Sequence, residues 1–259
     1  MRRMFGTFVP EYRKIDGVRY RVTYRPEIPV GVRAIQVDEF DSGHAEDSLD
    51  FLEPAQGTLT HLIVTNGQIR DVSVLERLPA LRNVTLNTGK IRKGVEAPIP
   101  GLEEVGLGWS ERVRALLAGP RLTKVVLDSP PKEVPVAGMS LEKLRLTGVG
   151  HTCLPSVRVR DLWIASGIRR GTIEGLRQVA GLRELWLDNV VPTDLGTSPD
   201  PAFSQLRSLA LEDCRNIPSL LPFAETQLDE LIVIGDVSVQ DGTLAGLNAR
   251  KRRFPPGWA

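Results

Sequence analysis

The sequence predicts an α/β solenoid, an arc of stacked coils. Each coil contributes one strand to a single parallel sheet and returns along the convex side through a short helix or an extended segment. Three observations carry that reading. An apolar phrase, Leu-x-x-Leu-x-Leu in its fullest form, recurs nine times. Its first positions are Leu59, Leu81, Leu102, Leu122, Leu141, Val159, Leu182, Leu206 and Leu228, spaced by 18 to 24 residues, the period of repeat architectures. Aromatic residues make up only 5% of the chain, which suits a stack built on Leu and Val better than a sandwich or barrel.

Strand geometry explains the phrase. Successive side chains alternate between faces, so the fourth and sixth positions point one way and the third, fifth and seventh the other. One strand with two inward leucines cannot exclude water alone. Copies stacked about 4.8 Å apart join those side chains into a continuous core and pair their backbones along a ladder. A right-handed parallel β-helix is the alternative fold. It requires two or three strand phrases per coil, and the sequence displays one.

Taken in order, residues 1–31 precede the repeats, and 13–24 read as a β-hairpin turned at Asp16 and Gly17, a dipeptide suited to the positive φ angles of a two-residue turn. A solenoid end exposes bare core, so this hairpin is expected to cap it. Val32, Ile35 and Val37 form a degenerate first repeat, and the solenoid is expected to span 32–247. An acidic segment follows at 38–53, with Phe40, Leu49, Phe51 and Leu52 positioned to anchor it. Among the returns, 71–78, 110–119 and 172–180 read as short helices, the second with a capping Ser110 and a closing Gly119. The prolines of 128–135 and the stretch 151–155 exclude regular helix there. Residues 248–259 form a basic and aromatic tail, in which Phe254 and Trp258 are expected to fold back over the last repeat.

The phrase resembles that of the leucine-rich repeat family, over 59–235 and in weaker form over 32–247. The resemblance implies a solenoid that binds proteins, of an irregular, bacterial type. The family's Asn or Cys, three places after the last strand Leu, is matched only by Cys214; the other equivalents are Gly67, Gly89, Ser110, Pro130, Val149, Gly167, Val190 and Asp236. Uneven turns are therefore expected in place of a regular asparagine ladder.

The outward positions are the candidate surface. Trp163 and Trp186 hold the same fifth position in adjacent repeats and are expected to face solvent one strand apart. Lys124, Lys143 and Arg145 precede them, whereas Asp161, Glu184, Asp188, Glu212 and Glu230 surround and follow them. Aromatic anchors in a polar setting are the composition of a binding hot spot, and the acidic half favours a protein partner with a basic patch. The plainer account is that the indoles stack on each other and Arg145 covers Trp163 by a cation–π contact worth about 0.5–1 kcal/mol.

Composition excludes other classes. With 33 basic and 32 acidic residues the formal net charge is +1, so no global field draws the chain to nucleic acid or anionic lipid. Arg outnumbers Lys, 26 to 7, which fits codon usage in a GC-rich genome. Two cysteines are too few for a disulfide scaffold, and neither a signal peptide nor a membrane span is visible. No nucleophile triad, phosphate loop or metal-ligand spacing occurs, and His44, His61 and His151 lie on different segments. Asp161, Glu184 and Asp188 have the residue types of a glycosidase or cation site, but a solvated row on a sheet is the ordinary state of such residues. The expectation is a monomeric, cytoplasmic, non-enzymatic binding scaffold without cofactor or metal, of the inhibitor or immunity type. The competing expectation is nucleic-acid binding through the Arg-rich stretch Arg250, Lys251, Arg252 and Arg253.

Overall fold

The computed structural model describes residues 19–22, 28, 31–37 and 47–253. Its dominant feature is a parallel sheet of twelve strands stacked in chain order. They are β1 (Arg19–Val22), β2 (Ala34–Val37), β3 (His61–Val64), β4 (Asn83–Leu86), β5 (Glu104–Gly108), β6 (Lys124–Asp128) and β7 (Ser140–Thr147), followed by β9 (Val157–Ala165), β12 (Glu184–Asp188), β14 (Ser208–Glu212), β15 (Leu228–Ile234) and β16 (Ala249–Arg253). A two-residue strand, β11 (Val179–Ala180), pairs with the start of β9 beside this path.

Every sequence repeat contributes one rung, and the register is the one the phrase demands. Leu62, Val84, Val105, Val125, Leu144, Leu162, Leu185, Leu209 and Leu231 are consecutive partners across the sheet. The weak first copy belongs to the same ladder, with Ile35 opposite Leu62 and Val37 opposite Val64. A slip of one residue would turn both inward rows out to solvent. Both rows are buried, and they share one core with return residues such as Leu52, Leu75, Leu116, Leu154 and Leu176. Near the end of the stack, Phe203 and Phe223 fill that core with ring centroids 4.6 Å apart.

The outer wall departs from expectation in two ways. First, its helical turns are tight 3-10 turns, and no α-helix occurs among the described residues. The segment expected at 110–119 is such a turn, Glu111–Ala118, entered through Ser110, whose hydroxyl accepts from the Arg112 amide at 3.3 Å. That expected at 71–78 is the turn Ser73–Arg77, where Asp71 accepts from the Ser73 amide at 2.9 Å. A coil of about twenty residues spends most of its length on the strand and two corners, which leaves space for the 3-10 turns seen here. Second, 172–180 is not helical overall. It runs as β10 (Gly171–Glu174), a 3-10 turn Leu176–Gln178 and then β11. Thr172 and Ile173 are β-branched and favour extended backbone. Gly175 then takes φ +83°, and a Cβ there would lie 2.1 Å from the Leu154 carbonyl oxygen of the neighbouring coil.

β10 lies between β8 (His151–Cys153) and β13 (Val190–Pro192) in a second, three-stranded parallel sheet. The expectation of a single sheet is thereby corrected: from 151 to 192 the wall carries a second strand per coil. Isolated parallel bridges continue this pairing elsewhere, linking Ser48, Asp71 and Lys93, Glu133 with Cys153, and Ile217 with Val239.

The corners explain why so few coils carry the expected Asn or Cys. The turning residue sits two places after the last inward strand residue, not three. Ser129, Gly148, Asn189, Asp213 and Gly235 all adopt positive φ there, a conformation open to Gly and tolerated by Asn and Asp. Cys214, in the expected place, donates its thiol to the carbonyls of Leu187 and Glu212 at 3.4 and 3.3 Å. Burial pushes that thiol up to about 11.

At the start of the sheet, the second half of the expected hairpin is β1, which pairs parallel with β2 as a further rung. Its turn at Asp16 and Gly17 lies outside the described residues, as do Phe40, His44, Phe254 and Trp258. Of the acidic segment, Leu49 and Leu52 are buried and Phe51 partly so. Its Asp50 and Glu53 both pair with Arg77, at 2.8 and 2.7 Å. Among the described residues no helix is long and apolar enough to cross a membrane.

The inward rows set a test. Leu187→Ala, which empties a fully buried position, is expected to cost about 2–5 kcal/mol, read as a lower midpoint in guanidinium chloride unfolding.

Candidate functional site

The outward fifth positions form a central row running across the strands: Ile63, Thr85, Gly106, Val126, Arg145, Trp163, Trp186, Ala210 and Ile232. Ladder register alone brings Arg145, Trp163 and Trp186 onto three adjacent strands. The side chains then stack. The Arg145 guanidinium carbon lies 3.7 Å from the centre of the Trp163 ring, and the two indoles are 5.3 Å apart at a tilt of 31°.

Stacking changes how the indoles meet water. They were expected to be solvated; both are half-buried, because each covers part of its neighbour. The indole Nε1 of Trp163, that of Trp186 and the Nε of Arg145 are shielded and have no hydrogen-bond partner among the described residues. Ala210, opposite Trp186, is only 2% exposed although it points outward. The middle of the face is therefore a compact patch with polar margins.

Ion pairs divide the charged margin residues into two sets. Lys124 lies 3.9 Å from Glu104, Asp161 is clasped by the Arg160 guanidinium at 3.0 and 3.1 Å, and Glu230 pairs with Arg253 at 2.9 Å. Among the described residues Lys143, Arg145, Glu184, Asp188 and Glu212 have no ion-pair partner. The two cations lie on β7 and the three carboxylates on β12 and β14; Trp163 on β9 separates them, and Trp186 shares β12 with Glu184 and Asp188.

No family model, curated protein or solved structure matches this chain.

Asp188 is the most perturbed carboxyl on this face. Its value is pushed up to about 6, first by burial, then by Glu212 and Asp213, with Arg145 opposing. Asp213 was not among the sequence candidates. Its signal was adjacency to Glu212 in a strand paired with that of Asp188. On the far side of the face, burial raises Glu104 against the pull of Lys124 and Lys143, and burial lowers Arg145 against the pull of Asp188.

The remaining chemistry-bearing side chains are dispersed. His61 contacts Thr60 at 2.8 Å on β3. His151 contacts Thr172 at 2.8 Å on the outer wall, with Glu174 at 4.0 Å. Among the described residues no group of three or more His, Cys, Asp or Glu is arranged to hold a metal ion. The basic stretch near the C-terminus is the strand β16, and most of its charge is engaged. Arg250 lies 3.4 Å from Asp229, Arg253 pairs with Glu230, and Arg252 donates to the carbonyls of Leu247 and Ala245.

Asp188 yields a pH prediction. Its raised value means that the folded chain holds this proton more tightly than the unfolded chain, where the value is about 3.9. Its contribution to stability is therefore present below about pH 4 and is lost as pH rises through about 6. Asp188→Asn is expected to raise Tm at about pH 7.5 and to add little at about pH 4. In carboxyl NMR the wild type is expected to show a resonance titrating near 6 that the variant lacks.

Proposed function

We propose that this chain is an irregular leucine-rich repeat protein that binds another protein through the face centred on Trp163 and Trp186. The observation that carries the reading is the continuous Arg145–Trp163–Trp186 stack, bordered by charges with no ion-pair partner among the described residues. A stacked patch presents large, pre-ordered contact area, so little side-chain freedom remains to be lost on binding. Unpaired carboxylates beside it favour a partner with a basic patch and speed its encounter. The strand phrase and its register support the family assignment, and the family's habit of binding proteins supports the function by analogy alone. In this reading the protein is a monomeric cytoplasmic inhibitor or immunity-type factor that acts by covering its partner. It performs no chemistry and needs no cofactor or metal.

Nucleic-acid binding through the C-terminal basic stretch is the weaker reading, because Arg250, Arg252 and Arg253 already have partners in the chain.

The test pairs affinity with salt dependence. Trp163→Ala/Trp186→Ala is expected to weaken the affinity of a purified protein partner by about 30-fold or more, the scale of a lost hot spot. The same change should leave a cooperative unfolding transition, since the indoles stand outside the leucine rows. Undiminished affinity in the double variant would sink the proposal. A steep loss of binding with rising salt, together with retention of a DNA duplex, would favour the nucleic-acid reading.

A further inference from the structure

Proteins usually satisfy their surface charges locally, and this face does so at Lys124, Asp161 and Glu230. Apart from Asp128 on β6, which accepts from the Thr147 hydroxyl at 2.8 Å, the charges left over in the outward rows are sorted by sign. Lys143 and Arg145 stand on β7, before the indoles, whereas Glu184, Asp188 and Glu212 stand on β12 and β14, level with and beyond them. The terminal nitrogens of Arg145 make no hydrogen bond among the described residues, and its guanidinium carbon is held 3.7 Å from the centre of the Trp163 ring. A guanidinium fixed in this way is suited to a bidentate contact with a carboxylate. At the other end, half-buried Asp188 is crowded by Glu212 and Asp213, with the pull of Arg145 opposing them and no ion pair among the described residues.

From this we infer that the occupant of the face is an extended segment of a partner protein that crosses the strands and carries one carboxylate and one cationic side chain. The carboxylate sits over Lys143 and Arg145, the cation over Asp188 and Glu212, and flat apolar side chains lie between them on the indoles. This rests on the docking reading above and narrows its basic partner to a segment with both signs in a set order. The spacing follows from geometry. From β7 to β14 is three strand steps along β9 and β12, about 14 Å at roughly 4.8 Å per step. An extended chain rises about 3.3 Å per residue, so the two charged residues are about four positions apart. A uniformly basic segment would set a cation against Lys143 and Arg145, where like charges oppose docking.

The experiment uses the full chain and three labelled decapeptides of equal length, read by fluorescence anisotropy. One carries Glu and Arg four positions apart around an apolar, aromatic centre; in the second the Glu is replaced by Lys; in the third the Arg is replaced by Glu. The first is expected to bind about tenfold more tightly than either of the others. Arg145→Glu should reverse the preference between the first two peptides, and the milder Arg145→Gln should abolish it. Circular dichroism and melting curves are the check that both variants fold. Equal or tighter binding of the all-basic peptide to the wild type overturns the two-signed segment and leaves the docking face standing. Failure of all three peptides at about 1 mM, with the Trp163→Ala/Trp186→Ala variant indistinguishable from wild type, overturns the docking face itself. A dimer in sedimentation equilibrium that dissociates in Arg145→Glu overturns the peptide segment in favour of a second copy of the chain.

Discussion

The whole molecule depends on two parallel rows of aliphatic side chains, the fourth and sixth positions of each coil. They run unbroken from β2 to β15. No single coil has enough apolar surface to offset the conformational entropy of ordering itself. Each becomes stable only by lying against the next, so stability here is a sum of neighbour terms. The same rows decide what faces outward. Once Leu185 and Leu187 turn in, Trp186 has no choice of side, and the binding face is a by-product of core register.

That dependence explains what could be read from residues alone. The strands and their register were legible because a period of two inside a period near twenty leaves little ambiguity, even in the weak copy at Val32, Ile35 and Val37. The outer wall was not. β8, β10 and β13 are three or four residues long, too short to display a period. Their only signals are the β-branched pairs Thr172–Ile173 and Val190–Val191 and the buried Thr152. Over 172–180, apolar residues three apart suggested a helix, but the left-handed Gly175 and the close approach of the Leu154 carbonyl prevail. The corner residue was visible too, as Ser129, Asn189 and Asp213, one place before the position at which the family keeps its Asn.

The face was legible to the same depth. Which side chains share it follows from register, and the Arg145–Trp163–Trp186 sequence of neighbours was implicit in the phrase. Which charges remain free was not, because pairing depends on side chains outside the three outward rows. Arg160 quiets Asp161 from the next position in its own strand. Arg253 reaches Glu230 from a strand that the sequence presented as a tail. Only after those pairs are removed does the separation of sign across the indoles emerge.

A ladder of in-register rungs has no internal reason to stop, since each finished coil offers the next one a fresh row of backbone donors and acceptors. β16 is its outermost described rung. Its five residues include four cations, and where earlier rungs hold an inward leucine it carries Arg252, opposite Leu231. A second molecule docking head-to-tail would have to bury that guanidinium and lie beside its fixed positive neighbours. An inward arginine on the outermost described rung thus makes that edge a poor template for end-to-end growth.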